Sequence, residues 1–197
     1  MKYKLPLVLG VIGACLVSCE RNDSKTQAAA PEASPAELRR VTETGRAASK
    51  ALMESLGGQL KGALQSGGPV AAIEVCQKAA MPLTEGAGAA FEGVRLRRTT
   101  SKPRNPANAP DELDQAVLEK LAQTSPMPEE WIEWQGEVAR YYKPLIIQVV
   151  CLTCHGDAKS FSPALASALK ERYPNDQATG YALGDFRGVI RVEILRQ

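Results

Sequence analysis

The feature that most constrains this chain is the run Cys151-Leu152-Thr153-Cys154-His155. Two cysteines separated by two residues and followed at once by histidine form the attachment sequence of a c-type haem. Each thiol can form a thioether with one vinyl group of the porphyrin, and the adjacent imidazole then becomes the proximal ligand of the iron. His155 is the only histidine in the chain. The motif therefore predicts one covalently bound haem c held by Cys151, Cys154 and His155.

Three other interpretations of the paired cysteines are a thioredoxin-like redox pair, half of a zinc site and a plain disulfide. A closed zinc site has four protein ligands. After Cys19, only Cys76 remains to be added to the three residues of the motif. Zinc is therefore disfavoured, and haem remains the leading prediction.

Residues 1–18 predict an export signal. Lys2 and Lys4 precede an apolar core over residues 5–17, which is short for a membrane span. The apolar core is followed by Ser18-Cys19, which resembles the cleavage site of a bacterial lipoprotein, so Cys19 is predicted to carry the lipid. The alternatives are an ordinary cleaved signal and an uncleaved anchor. Glu20 favours the outer membrane under the usual Gram-negative sorting rule.

Residues 19–35 are rich in Ala, Ser and Pro and predict a flexible tether, which leaves residues 36–197 as one domain. Export agrees with the haem motif, because haem is attached to such motifs outside the cytoplasmic membrane. We therefore expect a periplasm-facing lipoprotein of the cell envelope, held to the membrane by its N-terminal lipid. The net charge of +2 and the 5% of aromatic residues argue against a nucleic-acid partner.

Apolar spacing predicts helices first, followed by a mixture of helices and strands. Helices are predicted over 35–65, with a kink at Gly57-Gly58, and over 69–81, 111–123 and 163–172. Strands are predicted over 94–100, 131–135, 139–150 and 189–194, the second and third forming a hairpin. This order indicates an α+β fold in which N-terminal helices pack on an antiparallel sheet, and the CxxCH motif follows directly after a strand.

The residues alone leave the second axial position of the iron open, because no second histidine exists. A methionine ligand would raise the reduction potential and suit an electron carrier, and a cysteine thiolate would stabilise ferric iron. An open position would suit gas binding or peroxide chemistry. The candidates are Cys76, Met53, Met81, Met127, a lysine, a tyrosine and water.

Five segments occur in an order that resembles a known family; they are residues 71–76, 98–108, 151–156, 173–181 and 184–188. Together they resemble the exported c-type monohaem domains with a PAS-like sheet, formerly catalogued as a domain of unknown function. The resemblance runs from about residue 35 to the C-terminus. It implies a PAS-like sheet, similar to that of kinase sensor domains. It also implies iron ligation by histidine and cysteine, which fall here on His155 and Cys76.

Arg98 and Arg104 are candidates to hold the haem propionates, since a guanidinium pairs bidentately with a carboxylate. The alternative for both is a charged strand edge in water. The predicted function is redox exchange, or redox or gas sensing, with an unidentified redox or signalling partner and no catalytic residue. The rival is an electron shuttle with histidine–methionine ligation through Met81 or Met127. A haem peroxidase is less favoured, because no histidine is left for acid–base work.

Overall fold

The computed structural model describes residues 33–196, and it has helices on both faces of one antiparallel sheet. The elements are α1 (Pro35–Lys78), α2 (Ala80–Ala89), β1 (Val94–Thr99), α3 (Glu112–Gln123), β2 (Trp131–Gln135), β3 (Val138–Ile146), α4 (Leu152–His155), α5 (Pro163–Arg172) and β4 (Phe186–Leu195). The predicted α+β class is confirmed. The predicted export signal, the lipidation residue Cys19 and residues 19–32 of the predicted tether lie outside the described residues.

The sheet has the order β1-β4-β3-β2, so the last strand of the chain lies between the first and the third. The predicted hairpin is confirmed, with Trp131 opposite Tyr142 and Gln135 opposite Val138. β3 ends at Ile146 instead of continuing to residue 150. The reason is a register shift between Leu145 and Ile146, after which the chain leaves the sheet and enters a 3₁₀ turn over Val149–Cys151.

The two faces of β4 are covered by different helices, because successive side chains of a strand point to opposite faces. One cluster joins α1 to one face of the sheet; its buried members include Val41, Ala48, Leu52, Tyr141, Ile190, Val192 and Ile194. A second cluster joins α3 to the other face through Val117, Leu118, Leu121, Tyr142 and Val189. The sheet is thus the middle layer of three.

α1 continues through both helices predicted for this part of the chain and bends between them. It begins at Pro35, as predicted, and the structure shows a capping box at Ser34. Gly68, with φ of 68° and ψ of −163°, is the only position inside α1 with non-helical backbone angles. The kink predicted at Gly57-Gly58 is wrong. The bend occurs at Gly68 because Pro69 has no N–H for the helix ladder and restricts the residue before it, where glycine alone adopts this conformation readily.

α3 and α5 follow the predicted bounds closely, whereas α2 (Ala80–Ala89) was not predicted from the sequence, which placed the end of the preceding helix at residue 81. α3 begins after the cap Asp111, whose side chain accepts from the Asp114 amide, and α5 begins after the cap Ser162. Within residues 33–196 no helix combines the length and the apolarity that a bilayer crossing requires.

Candidate functional site

A cavity of about 590 Å³ lies between α1, the α4 turn and the loop before α3. Its volume falls within the range of roughly 300–1,000 Å³ that is usual for small-molecule and cofactor sites. The lining residues are Gly57, Leu60, Lys61, Leu64, Ala72, Ile73, Cys76, Arg104, Val150, Cys151, Cys154 and His155. The four residues predicted to bind haem or iron most directly, namely Cys76, Cys151, Cys154 and His155, therefore meet at one cavity.

The bend in α1 lets this one helix contribute to the cavity from both of its segments. Leu60 and Leu64 belong to the segment before Gly68, whereas Ile73 and Cys76 belong to the segment after it. The second segment is held by α5, because Ile73 packs with Leu165 and other residues of that helix. Cys76 is thus presented from a packed helix, half-buried at the cavity wall.

The local backbone around the motif is a 3₁₀ turn followed at once by the single turn of α4. Cys151 lies where the two turns join, and Cys154 and His155 end α4. All three cysteines of the described residues, including Cys76, are free thiols. Cys154 also packs against the apolar cluster of α5, and burial raises the pKa of its thiol.

His155 is held in one orientation by the backbone. Its Nδ1 lies 2.7 Å from the carbonyl oxygen of Ala178. Since a carbonyl can only accept, Nδ1 carries the proton and Nε2 keeps a free lone pair. Burial, helped by the nearby Arg104 and Arg187 guanidiniums, lowers the pKa of His155 to about 3. The imidazole is therefore neutral at physiological pH, which is the form that binds metals.

Arg104 joins three parts of the chain around the motif. Its Nε donates to Asp176 Oδ2 at 2.9 Å, and its Nη2 donates to the carbonyl oxygens of Cys154 at 2.5 Å and Ala178 at 3.3 Å. The whole residue is only 7% exposed. Two of its three guanidinium nitrogens thus have protein acceptors, so Arg104 positions the motif as well as lining the cavity.

The segment 176–181 is a functional element to which the sequence analysis assigned no role. Its backbone amides at Gly180 and Tyr181 donate to the carbonyl oxygens of Gly156 and His155, at 2.8 and 3.0 Å. With the Ala178 carbonyl, these contacts hold the histidine in place. Asn, Asp and Gly in this stretch indicate turns, but no local signal pairs it with a residue more than 20 positions earlier.

Of the candidates for a second iron ligand, the structure places only Cys76 and Lys61 at this cavity of about 590 Å³. Met81 contacts Arg98, with Sδ 3.6 Å from Nη2, and Met127 packs against α3. Burial raises the pKa of the Cys76 thiol, although Arg104 and Arg98 act in the opposite direction. Within residues 33–196, no three His, Cys, Asp or Glu side chains are grouped as a site for a bare metal ion.

Arg98 lies at a different place from Arg104. Its Nε donates to Thr84 Oγ1 at 3.1 Å, and it lines a second, smaller cavity of about 190 Å³. His155 lines both cavities. The two arginines predicted to bind propionates therefore lie near the same histidine but do not line one common cavity.

Comparison with known proteins gives one family and one solved structure. A family model described as Tll0287-like matches residues 22–194. The chain is similar to the crystal structure of the cyanobacterial heme-protein Tll0287, with 25% sequence identity and a TM-score of 0.59. That alignment covers 84% of this chain and 98% of the other. No curated protein matches the chain significantly.

Proposed function

The chain belongs to the Tll0287-like family, and from this membership we propose that it is a haem protein with one haem c attached to Cys151 and Cys154. The name of the solved relative, a heme-protein, supports haem binding. Covalent attachment is proposed from the CxxCH spacing itself. His155 is the proposed proximal ligand.

One observation carries the proposal. Cys151, Cys154 and His155 line a single cavity of cofactor size, and the histidine has its Nδ1 proton engaged by the Ala178 carbonyl. A neutral imidazole with a free Nε2 is what an iron ligand requires, and the engaged Nδ1 prevents rotation of the ring. The largely aliphatic lining from α1 would exclude water from a bound macrocycle. The donor set present therefore fits haem.

Cys76 is the proposed second axial ligand. Among the residues that line this cavity, Cys76 carries the only sulfur outside the CxxCH motif. Without iron its thiol is protonated, because burial disfavours the charged form. Ligation would replace that proton. The Arg104 and Arg98 guanidiniums, which favour negative charge on this sulfur, support a thiolate here.

The proposed role is redox exchange, or redox or gas sensing. Bound haem supplies one-electron exchange and a site for small gases. Cys76 lies on the α1 segment after the Gly68 bend, so release of this ligand would let that segment shift against its packing partner α5. A two-state movement of that kind suits a sensor.

The proposed setting is the cell envelope. The export signal over residues 1–18 and the lipidation residue Cys19 support a periplasm-facing lipoprotein of the outer membrane. We also propose that the sheet is PAS-like and that the protein acts with a redox or signalling partner.

The test uses the full chain, with its signal, produced in a bacterial host that has a working cytochrome maturation system. We expect a coloured protein that keeps its haem after denaturation and shows a low-spin, thiolate-type ferric spectrum. Cys76→Ala should lose that signature, and Met81→Ala, whose sulfur lies outside the cavity, should keep it. Ferrous spectra with and without carbon monoxide then report whether Cys76 is displaced.

The outcomes are separable. A colourless product whose mass equals that of polypeptide plus lipid would reject haem attachment. A coloured protein whose spectrum is unchanged by Cys76→Ala would reject only the thiolate ligand. If Lys61→Ala changes the spectrum instead, the second ligand is Lys61.

A further inference from the structure

The ring of Tyr181 lies beside the imidazole of His155. The two ring centroids are 6.3 Å apart and the ring planes meet at 84°, which is an edge-to-face arrangement. Aromatic rings attract one another in this geometry at centroid distances of about 4.5–7 Å. Tyr181 is half-buried and lines neither of the two cavities to which His155 contributes. The tyrosine therefore meets the histidine from outside the space proposed for haem.

Two cations lie over the Tyr181 ring. Lys102 Nζ is 4.3 Å from the ring centroid, and Arg187 Cζ is 5.3 Å from it. A cation within about 6 Å of an aromatic centroid is attracted by the electrons of the ring face. Arg187 Nη1 also donates to the Tyr181 hydroxyl at 3.4 Å. The tyrosine ring is therefore held in place beside the histidine.

The backbone anchors both cations and the tyrosine itself. Lys102 Nζ donates to the Thr179 carbonyl at 2.9 Å, and Arg187 Nη1 donates to the Lys102 carbonyl at 3.1 Å. The Tyr181 amide donates to the carbonyl of His155 at 3.0 Å. The loop after β1, the segment before β4 and β4 itself thus converge on one ring.

The hydrogen bond of His155 does not by itself define the plane of the imidazole. The bond from Nδ1 to the Ala178 carbonyl prevents the ring from turning over. It leaves smaller rotations about the Cβ–Cγ bond, because this torsion has a broad energy minimum in histidine. A second contact to the ring removes that freedom, and Tyr181 supplies it.

We propose that Tyr181 is a positioning residue that sets the plane of the His155 imidazole, and with it the orientation of the imidazole relative to the bound haem. Contacts of this kind, outside the ligand itself, determine how a histidine is presented to a metal. The inference rests on the proposed function for the haem. The contact between the two rings belongs to the chain alone.

The test is the electron paramagnetic resonance spectrum of the ferric, haem-loaded full chain, because the g values of low-spin iron depend on the plane of an axial imidazole. Tyr181→Leu removes the ring, so we expect shifted g values or more than one low-spin species. Tyr181→Phe keeps the ring and should keep the single wild-type set of g values.

Trp134→Leu is the matched control. The Trp134 ring also has a guanidinium over it, that of Arg196 at 5.1 Å, but it lines neither cavity. This variant loses an aromatic ring and its cation contact elsewhere in the fold, and its g values should equal those of wild type.

Two outcomes would overturn the proposal. In the first, Tyr181→Leu lowers Tm but keeps the g values of wild type and Trp134→Leu, which leaves Tyr181 with a structural role only. In the second, Tyr181→Phe changes the g values as much as Tyr181→Leu, which assigns the effect to the hydroxyl instead of the ring.

Two further measurements keep the test decisive. If Tyr181→Leu does not fold, Lys102→Gln replaces it, because this variant keeps the ring and removes a cation that holds it. Changed g values in Lys102→Gln support the proposal, and wild-type g values reject it.

A colourless chain would reject the proposed function and still leave Tyr181 testable. His155 is the only histidine, so its ring signals in a nuclear magnetic resonance spectrum are identified by residue type alone. The Nδ1 proton should exchange with water severalfold faster in Tyr181→Leu than in wild type and Tyr181→Phe. Equal exchange rates in the three chains would reject the positioning role.

Discussion

At the scale of single residues, the site depends on side chains that hold backbone groups. His155 donates to the Ala178 carbonyl, and Arg104 donates to the carbonyls of Ala178 and Cys154. The Ala178 carbonyl oxygen thus accepts hydrogen bonds from both the proposed iron ligand, His155, and Arg104. Such outer contacts fix the orientation of a ligand and are as necessary as the ligand itself.

Arg104→Gln tests this brace. The Arg104–Asp176 pair is buried, with side chains 8% and 11% exposed, so removal of the cation leaves Asp176 without its partner. We expect the free energy of unfolding, measured by urea denaturation at pH 7, to fall by about 3 kcal/mol. The double variant with both Arg104→Gln and Asp176→Asn should recover part of this loss, because the second substitution removes the unpaired charge.

Arg95→Gln is the matched control, since its pair with Glu193 leaves Arg95 81% exposed. An exposed pair contributes less than about 1 kcal/mol. Equal losses in the Arg104 and Arg95 variants would contradict a structural role for Arg104.

At the scale of elements, α1 has two tasks. Its first part packs on the sheet through Val41, Ala48 and Leu52, and its second part, after Gly68, presents Cys76. The close approach to the sheet requires glycine at one position. A Cβ built on Gly45 would lie 2.2 Å from Cγ of Tyr141, far inside contact distance.

Gly45→Ala should therefore destabilise the fold although alanine favours helices. Tyr141 is fully buried and has no room to move away, so we expect the overpacking to lower the free energy of unfolding by roughly 1–3 kcal/mol. Gly58→Ala on the same helix is the control, because a Cβ there meets no atom within 4 Å. It should raise the stability by up to about 1 kcal/mol. Thermal and urea unfolding of the two variants would show opposite signs, and a stabilised Gly45→Ala would refute the packing argument.

At the scale of the whole molecule, the start of α1 is tied to the end of β4. Arg196 donates through Nε to Glu37 Oε1 at 3.0 Å, and Glu37 also accepts from the Ser34 amide at 2.9 Å. The Arg196 guanidinium also lies over Trp134, 5.1 Å from the ring centroid. The two ends of the described chain are thereby held together where β4 ends.

This tie predicts a pH dependence of stability. Hydrogen bonds from Arg196 and then from Ser34 lower the pKa of Glu37 from 4.5 to about 2. The unfolded chain therefore binds a proton at Glu37 below about pH 4.5, while the folded chain stays ionised there until about pH 2. The stabilisation is complete above pH 4.5 and is lost as the pH falls towards 2.

The measurement compares wild type with Glu37→Gln by urea unfolding between pH 7 and pH 2.5. The difference between the two should be constant above pH 5 and should shrink below pH 4.5. Glu43→Gln is the control, because Glu43 is exposed on the same helix and has no ion pair within residues 33–196. A wild-type advantage that persists unchanged to pH 2.5 would contradict the lowered pKa.

The sequence by itself determined what is local. The CxxCH spacing requires only a short turn of backbone, and α4 with the preceding turn provides it. The predicted starts of α1, α3 and α5 are local in the same way, because the caps Ser34, Asp111 and Ser162 are satisfied within three residues of themselves. The alternation of apolar and polar residues in β1 and in the hairpin is likewise local, because it indicates which side chains of each strand are buried.

Only the tertiary structure decided the contacts between distant segments. The Ala178 carbonyl, the position of Arg187 beside Arg98 and the exclusion of Met81 from the larger cavity depend on how β4 inserts between β1 and β3. The kink at Gly68 was misplaced from sequence because several glycines of α1 permit a bend, and the bend falls where Pro69 also interrupts the hydrogen-bond ladder. Every residue has a backbone carbonyl, so tertiary packing, and not a sequence pattern, determines which carbonyl accepts the hydrogen bond from His155.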